Sequence, residues 1–342
     1  MPYNELRKDY LLNRWVVIAT ERGRRPTDFA KPREEAKSAV CPMCVGNENM
    51  TPPASTLYLV ENGEVKRSQD PPEGERPRNW LVRTIPNLYP AFTPPKQPDD
   101  TPQIFMREDF GYAIGGHEVI IESPNHDEGP ANATLPQLEL VVKAYIDRFT
   151  ELSAKPYVKY VSIFRNYGIE AGASLSHAHS QVIATPMVPP VIHAEQEAAQ
   201  THSKVQGRCI FCDIIERERD EPRWILENDD FVVFAPYASV HAMEFWVLPK
   251  KHVANIKNLT SGEIKSFAAA LKTSLKALKD LVNDPPYNYG IHQSIDDRGY
   301  HWHLEIYPKL ATWAGFEKST GVYINTVTPE AAADGLRKAL TP

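Results

Sequence analysis

The chain has 342 residues, with 38 lysines and arginines against 44 aspartates and glutamates, giving a formal charge of −6. That balance argues against duplex nucleic acid or an anionic membrane as the main partner, and 42% hydrophobic content with 10% aromatics is too rich for a disordered chain. At roughly 150 residues per domain the length suggests two cores. With no apolar run of secretory or membrane-spanning character, a soluble cytoplasmic protein is expected.

In chain order, Cys41-Pro-Met-Cys44 comes first, followed by a proline- and charge-rich insertion that runs to Tyr112. Val119-Ile-Ile reads as a strand, and His126 follows it. Thr134-Leu-Pro-Gln137 fits a capping box and opens an amphipathic helix with Leu138, Val141, Tyr145, Phe149 and Leu152 on one stripe. A β-rich run from Val161 then ends in His177-Ala-His179. Residues 186–208, rich in proline and alanine, read as a linker.

Beyond it the same order returns. Cys209-Ile-Phe-Cys212 leads to the strand Phe245-Trp-Val and to His252. Thr260-Ser-Gly-Glu263 caps a helix with the stripe Ile264, Phe267, Leu271, Leu275 and Leu278, and Tyr289 leads to His301-Trp-His303. Caps, strands and histidines share one offset of 126 residues, which a chance amphipathic stripe does not produce. The expected fold is α+β, built from two tandem units, each an antiparallel sheet with packed helices. The units are placed at residues 1–190 and 206–310, with a tail over 311–342 that packs across them and ends in a helix from Pro329.

Four cysteines in two Cys-x-x-Cys turns, with none left over, point to metal rather than to disulfides. Zinc takes four thiolate or imidazole ligands in a tetrahedron. The repeat assigns Cys41, Cys44, His126 and His177 to one site and Cys209, Cys212, His252 and His301 to a second, with His303 the alternative to His301. Two zinc ions per chain are expected; the alternative is one all-thiolate site closed by both turns. A redox role is disfavoured because no helix is expected to open directly at a first cysteine. If residues 177–181 are extended, His177, His179 and Gln181 share one strand face. An imidazole held beside a bound metal is suited to act as a nucleophile, and the small residues Gly168 to Ser174 let backbone amides approach a phosphate.

The segment from Asn166 to Gln181, with Cys41-x-x-Cys44 and Ser123-Pro-Asn-His126, resembles the galactose-1-phosphate uridylyltransferase family of the histidine triad superfamily. The resemblance spans nearly the whole chain. It implies a double displacement in which His179 attacks the α-phosphorus of a nucleotide sugar, expels a hexose 1-phosphate, and hands the nucleotidyl group to a second sugar phosphate or to phosphate. Gln181 stands where triad hydrolases carry a third histidine, and a neutral amide donates a hydrogen bond without activating water. The family pattern further implies ribose and phosphate contacts for Asn166, Gly172 and Ser174, phosphate and base contacts for Arg22, Arg25 and Asn87, and hexose contacts for Phe316 and Glu317. It also implies a homodimer sharing a site between subunits. Two departures stand beside the nucleophile: Ala178 replaces the proline of His-Pro-His, and Ser180 replaces a glycine. The second Cys-x-x-Cys and the tail 314–321 are similar to the ADP-glucose phosphorylase group. The family at large implies UMP transfer in galactose metabolism, which is the expected activity; this group implies AMP transfer to phosphate, which is the alternative. A triad-type nucleotide hydrolase and a non-catalytic zinc module are the readings from other classes.

Overall fold

The computed structural model describes residues 4–19, 40–96, 111–296 and 299–341. The chain begins with β1 (Glu5–Lys8), β2 (Trp15–Ile18), β3 (Thr56–Glu61), β4 (Glu64–Ser68), β5 (Trp80–Pro86) and β6 (Gly116–Ile121), followed by helix α1 (Leu135–Ser153). Next come β7 (Tyr160–Tyr167), β8 (His179–Thr185), α2 (Pro190–Gln206), α3 (Ile210–Glu218), β9 (Trp224–Glu227), β10 (Phe231–Phe234) and β11 (Phe245–Pro249). Helix α4 (Ser261–Val282), β12 (Tyr287–His292), β13 (His303–Pro308), α5 (Gly315–Thr320), β14 (Tyr323–Asn325) and α6 (Pro329–Leu340) complete it.

The fold is α+β, as the repeat implies. Its two half-sheets are joined: β7 pairs antiparallel with β12, with Phe164 opposite Gly290 and Ile163 opposite Ile291. Among the described residues the result is one sheet of 11 strands in the order β4-β3-β5-β6-β8-β7-β12-β13-β11-β10-β9. A small sheet, β1-β2-β14, stands apart, with β14 parallel to β2. The tail therefore ties the two chain ends together, while α6 packs on α4 and β9.

Helices α1 and α4 pack against each other on one face of the large sheet, and both predicted stripes are buried. Both lie in one core with Val161, Ile163, Val182, Tyr289, Ile291 and Leu304 from the strands across the seam. Each fully buried aliphatic side chain contributes roughly 1.5–3 kcal/mol, so the seam is held by its side chains as well as by its ladder. The opposite face carries His179 and Gln181, because alternate residues of β8 point to opposite sides.

Local detail departs from the sequence reading in four places. Thr260 and Glu263 form a complete capping box, but at α1 only the Thr134 half forms, because Gln137 instead donates to the carbonyls of Leu81 and Glu122. The stretch read as a linker is the helix α2, since Pro190 is tolerated in a first turn where its missing N–H costs nothing. The insertion supplies three strands, β3 to β5, to the sheet. The common offset also slips by one residue across a strand: Ile120 lies opposite Ser180, whereas Val247, not Trp246, lies opposite Leu304.

Because Ile163 is fully buried at the seam, Ile163→Ala is expected to cost about 2–5 kcal/mol, read as a lower urea midpoint at unchanged slope. A midpoint equal to wild type would mean the seam does not bear on stability.

Candidate functional site

Strand β8 and the loop before it position the site. Just ahead of β8, Gly168 (φ 86°) and Gly172 (φ 88°) take backbone conformations that favour glycine. A side chain at Gly168 would also meet Pro286 Cβ at 2.7 Å. The turn is fastened to the other repeat by Asn288, whose amide donates to Asn166 Oδ1 at 2.8 Å and to the Ala171 carbonyl at 2.7 Å. Gly172 and Ser174 are exposed beside it.

Immediately afterwards the chain turns His177 toward the first cysteine pair. Cys41, Cys44, His126 and His177 bring their donor atoms within 4.8 Å of one another. His177 Nδ1 lies 3.6 Å from Cys41 Sγ and 3.5 Å from Cys44 Sγ, and His126 Nδ1 lies 3.3 Å from Cys44 Sγ. His177 Nε2–H donates to the Ser123 carbonyl at 2.8 Å, which fixes the tautomer and leaves Nδ1 with a lone pair for a metal. The second cluster repeats this pattern. Cys209, Cys212, His252 and His301 converge within 4.8 Å, and His301 Nε2–H donates to the Pro249 carbonyl at 2.9 Å. His301 rather than His303 thus faces the second cysteine pair. The cysteines belong to two separate clusters, contrary to the single all-thiolate alternative, and two thiols with two oriented imidazoles fit a structural metal at each.

One sequence expectation fails here. Cys209 is the N-cap of α3, so a helix does open at a first cysteine. The hydrogen bond from Cys212 and the nearby His301 hold the Cys209 thiol far below its ordinary range, while the same bond and burial push Cys212 up. A thiolate is favoured at this turn, as metal binding requires.

Two residues past His177, His179 is buried at 5% exposure, and its Nδ1–H donates to the His177 carbonyl at 2.8 Å. Burial lowers its pKa, which disfavours the protonated ring. Its Nε2 has no hydrogen-bond partner among the described residues, which leaves a lone pair on the face of the sheet opposite α1 and α4. Gln181 lies on the same face. Its Oε1 accepts from His117 Nε2–H at 2.8 Å, and His117 Nδ1 in turn accepts from the Ala91 N–H at 3.1 Å. The carboxamide oxygen is thereby engaged and the amide N–H groups remain for a ligand. Asn87 adjoins this chain, its side-chain nitrogen 3.1 Å from His117 Nε2. His117 was missed from sequence, although its place one strand over, on the face of Val119 and Ile121, is what period-two alternation gives.

Arg22 and Arg25 lie outside the described residues. Phe316 and Glu317 stand on α5, which packs on β14; Phe316 is exposed and Glu317 accepts from the Ala314 N–H at 3.0 Å.

Sequence reasoning also missed a third cluster, Glu195, His292, His303 and Glu305, whose donor atoms fall within 4.8 Å and could hold a cation. His303 and Glu305 occupy in the second repeat the places of His179 and Gln181. Here the ring is closed: His303 Nδ1 is 3.2 Å from the His301 carbonyl and Nε2 is 3.1 Å from Glu305 Oε1. Against the penalty of burial, the carboxylates of Glu195 and Glu305 raise His292 to about 9. Only the first repeat therefore offers a free imidazole nitrogen at this position.

The comparisons with known proteins agree with this geometry. A family described as "Domain of unknown function (DUF4921)" matches residues 95–342. An ADP-glucose phosphorylase of Arabidopsis thaliana is 33% identical over 98% of this chain and 92% of its own length. A galactose-1-phosphate uridylyltransferase of Thermotoga maritima is 29% identical over 98% of each. The crystal structure of an ADP-glucose phosphorylase from A. thaliana with bound ADP-glucose superposes with a TM-score of 0.79 at 31% identity, covering 98% of this chain and 99% of that one. A uridylyltransferase structure gives 0.73 at 27% identity, over 99% and 98% of the two chains. Fold, site and relatives define a protein closely related to ADP-glucose phosphorylase and galactose-1-phosphate uridylyltransferase. The chain belongs to the DUF4921 family.

The two Cys/His clusters predict two metal equivalents per chain by elemental analysis of purified protein, since His292 and His303 of the third cluster are engaged by Glu195 and Glu305. Cys44→Ala should retain one, with a lower melting temperature. One equivalent in the wild type, or two in the variant, would contradict the assignment.

Proposed function

We propose that the protein is an ADP-glucose phosphorylase-type nucleotidyltransferase that moves AMP from a nucleotide sugar to phosphate through a nucleotidyl-His179 intermediate. The observation that carries this is His179 Nε2, which has no hydrogen-bond partner among the described residues and lies on the strand face that also carries a carboxamide whose oxygen is already engaged. In the proposed first step Nε2 bonds to the α-phosphorus, the bond from phosphorus to the bridging oxygen breaks, and hexose 1-phosphate leaves. In the second, an oxygen of phosphate attacks the same phosphorus and the bond to Nε2 breaks, releasing ADP. The His177 carbonyl accepts from Nδ1–H throughout and stabilises the positive charge that the ring gains on bonding to phosphorus.

Gln181 is assigned the donation of an amide N–H to a phosphoryl oxygen. Having no acid–base function, it leaves water unactivated, which suits a transferase. Asn166, Gly172, Ser174 and Asn87 are assigned to the nucleotide and its phosphates, with Arg22 and Arg25. Zinc is the proposed metal of both cysteine clusters, two per chain, where it would supply rigidity rather than chemistry. The catalytic unit is placed in residues 1–190. In the proposed homodimer, Phe316 and Glu317 hold the hexose of the partner's site, in keeping with the exposure of Phe316 on α5. A cytoplasmic location suits these substrates.

Adenine is preferred to uracil because the phosphorylase relative has the higher identity and structural agreement, 33% and 0.79 against 29% and 0.73. Transfer of UMP between UDP-glucose and galactose 1-phosphate is the second reading, supported by the relatives that carry that activity in their names.

Incubation with nucleotide sugar labelled at the α-phosphate should leave acid-labile label on wild-type protein and none on His179→Ala; label retained by that variant would remove His179 from the mechanism. Turnover should be faster for ADP-glucose with phosphate than for UDP-glucose with galactose 1-phosphate, and the reverse order would establish the second reading. Gln181→His, restoring an ionisable group, is expected to raise hydrolysis relative to transfer by about tenfold, measured as free AMP against ADP.

A further inference from the structure

Directly under the nucleophile, on the helix-covered face of the sheet, lies a buried polar layer that the mechanism above does not use. Glu122 forms an ion pair with Arg165, both nearly inaccessible. Ser180 donates to Glu122 Oε1, and Tyr145 OH lies 2.5 Å from Ser180 Oγ and 3.1 Å from Glu122 Oε1. Tyr289 reaches across the seam to Tyr145 at 2.8 Å. Such an arrangement is expensive: burying an ion pair typically gives no more stability than well-packed hydrophobic residues, and Arg165 Nε has no partner among the described residues.

The second repeat shows that the fold does not need it. At the positions of Tyr145, Arg165 and Ser180 it carries Leu271, Ile291 and Leu304, all buried in the same core. Where Glu122 stands, β11 ends in Leu248 and Pro249, neither ionisable. One molecule thus holds the same structural layer twice, apolar beneath the closed ring of His303 and polar beneath the open ring of His179.

The contacts of the polar version converge on the nucleophile's backbone. Arg165 Nη1 donates to the His179 carbonyl at 3.3 Å and Ser180 is tied by its own hydroxyl, both held by the Glu122 carboxylate, while the Glu122 backbone N–H, which does not depend on the side chain, donates to the Ala178 carbonyl at 3.0 Å. These are the peptides flanking His179, where Ala178 leaves the backbone less restricted than a proline would. We infer that Glu122, Arg165, Ser180 and Tyr145 are positioning residues for the transfer reaction, a layer that fixes the peptides on either side of His179 so that Nε2 stays aimed at phosphorus. The inference rests on the transfer reading above.

The test installs the second repeat's chemistry in the first. The fourfold variant Glu122→Leu, Tyr145→Leu, Arg165→Ile, Ser180→Leu is expected to keep both metal equivalents and a melting temperature no lower than wild type. Its kcat and its rate of label uptake on His179 should fall at least about tenfold, since small misplacements of reacting groups carry such costs, while KM for the nucleotide sugar stays within about twofold. Wild-type kcat in that variant would overturn the inference. If the fourfold protein does not fold, Ser180→Ala decides: a lower kcat at unchanged KM and melting temperature supports positioning, and a wild-type kcat overturns it. Wild-type protein that never takes up label would remove the reaction and this inference together, a result distinct from equal rates in the two proteins.

Discussion

The hydrogen bond from His179 Nδ1 to the carbonyl of His177, 2.8 Å long, is the contact on which the rest of the site depends. One residue serves two purposes there. The ring of His177 faces the cysteine pair, with its far nitrogen anchored on the Ser123 carbonyl. Its peptide oxygen then sets the tautomer and direction of the next imidazole. A nucleophile spaced two residues from a cluster ligand inherits that ligand's rigidity, and the price of ordering the ring is met before any ligand arrives.

The second repeat supplies an internal comparison. His303 makes the same contact to the His301 carbonyl, yet its other nitrogen is taken by Glu305. The difference between a carboxamide at 181 and a carboxylate at 305 separates an open ring from a closed one. A carboxylate can only accept, so it captures the imidazole N–H; the carboxamide is itself turned aside by His117 and leaves the nitrogen without a hydrogen-bond partner among the described residues. Duplication gave two copies of one scaffold. The seam between β7 and β12 then let each copy support the other, as Asn288 does for the loop before the nucleophile.

Much of this was legible in the sequence where spacing alone carries the chemistry. The ligand groups follow from two Cys-x-x-Cys turns and histidines at a common offset, and both helices from their stripes and caps. What was hidden depended on tertiary choices. Nothing local says that Gln137 abandons its own cap for the Leu81 carbonyl, or that residues after Pro189 coil into α2 rather than cross as a linker. The one-residue slip at β11 is invisible to a count of offsets because it is absorbed where strand meets loop. His117 and the Glu122–Arg165 pair escaped for a different reason: a single histidine and two unremarkable charges have no motif, and only their convergence on β8 gives them meaning. Glu195 and His292 likewise come from a helix and a strand nearly a hundred residues apart.

The central claim is that one nitrogen of one histidine bonds to phosphorus. A crystal structure of the protein flash-cooled after soaking with ADP-glucose tests it most directly. The account predicts continuous density from His179 Nε2 to the α-phosphorus, with Nδ1 still on the His177 carbonyl. A ligand whose phosphorus lies on any other side chain, or an unmodified His179 turned away from an intact bound nucleotide sugar, would contradict it.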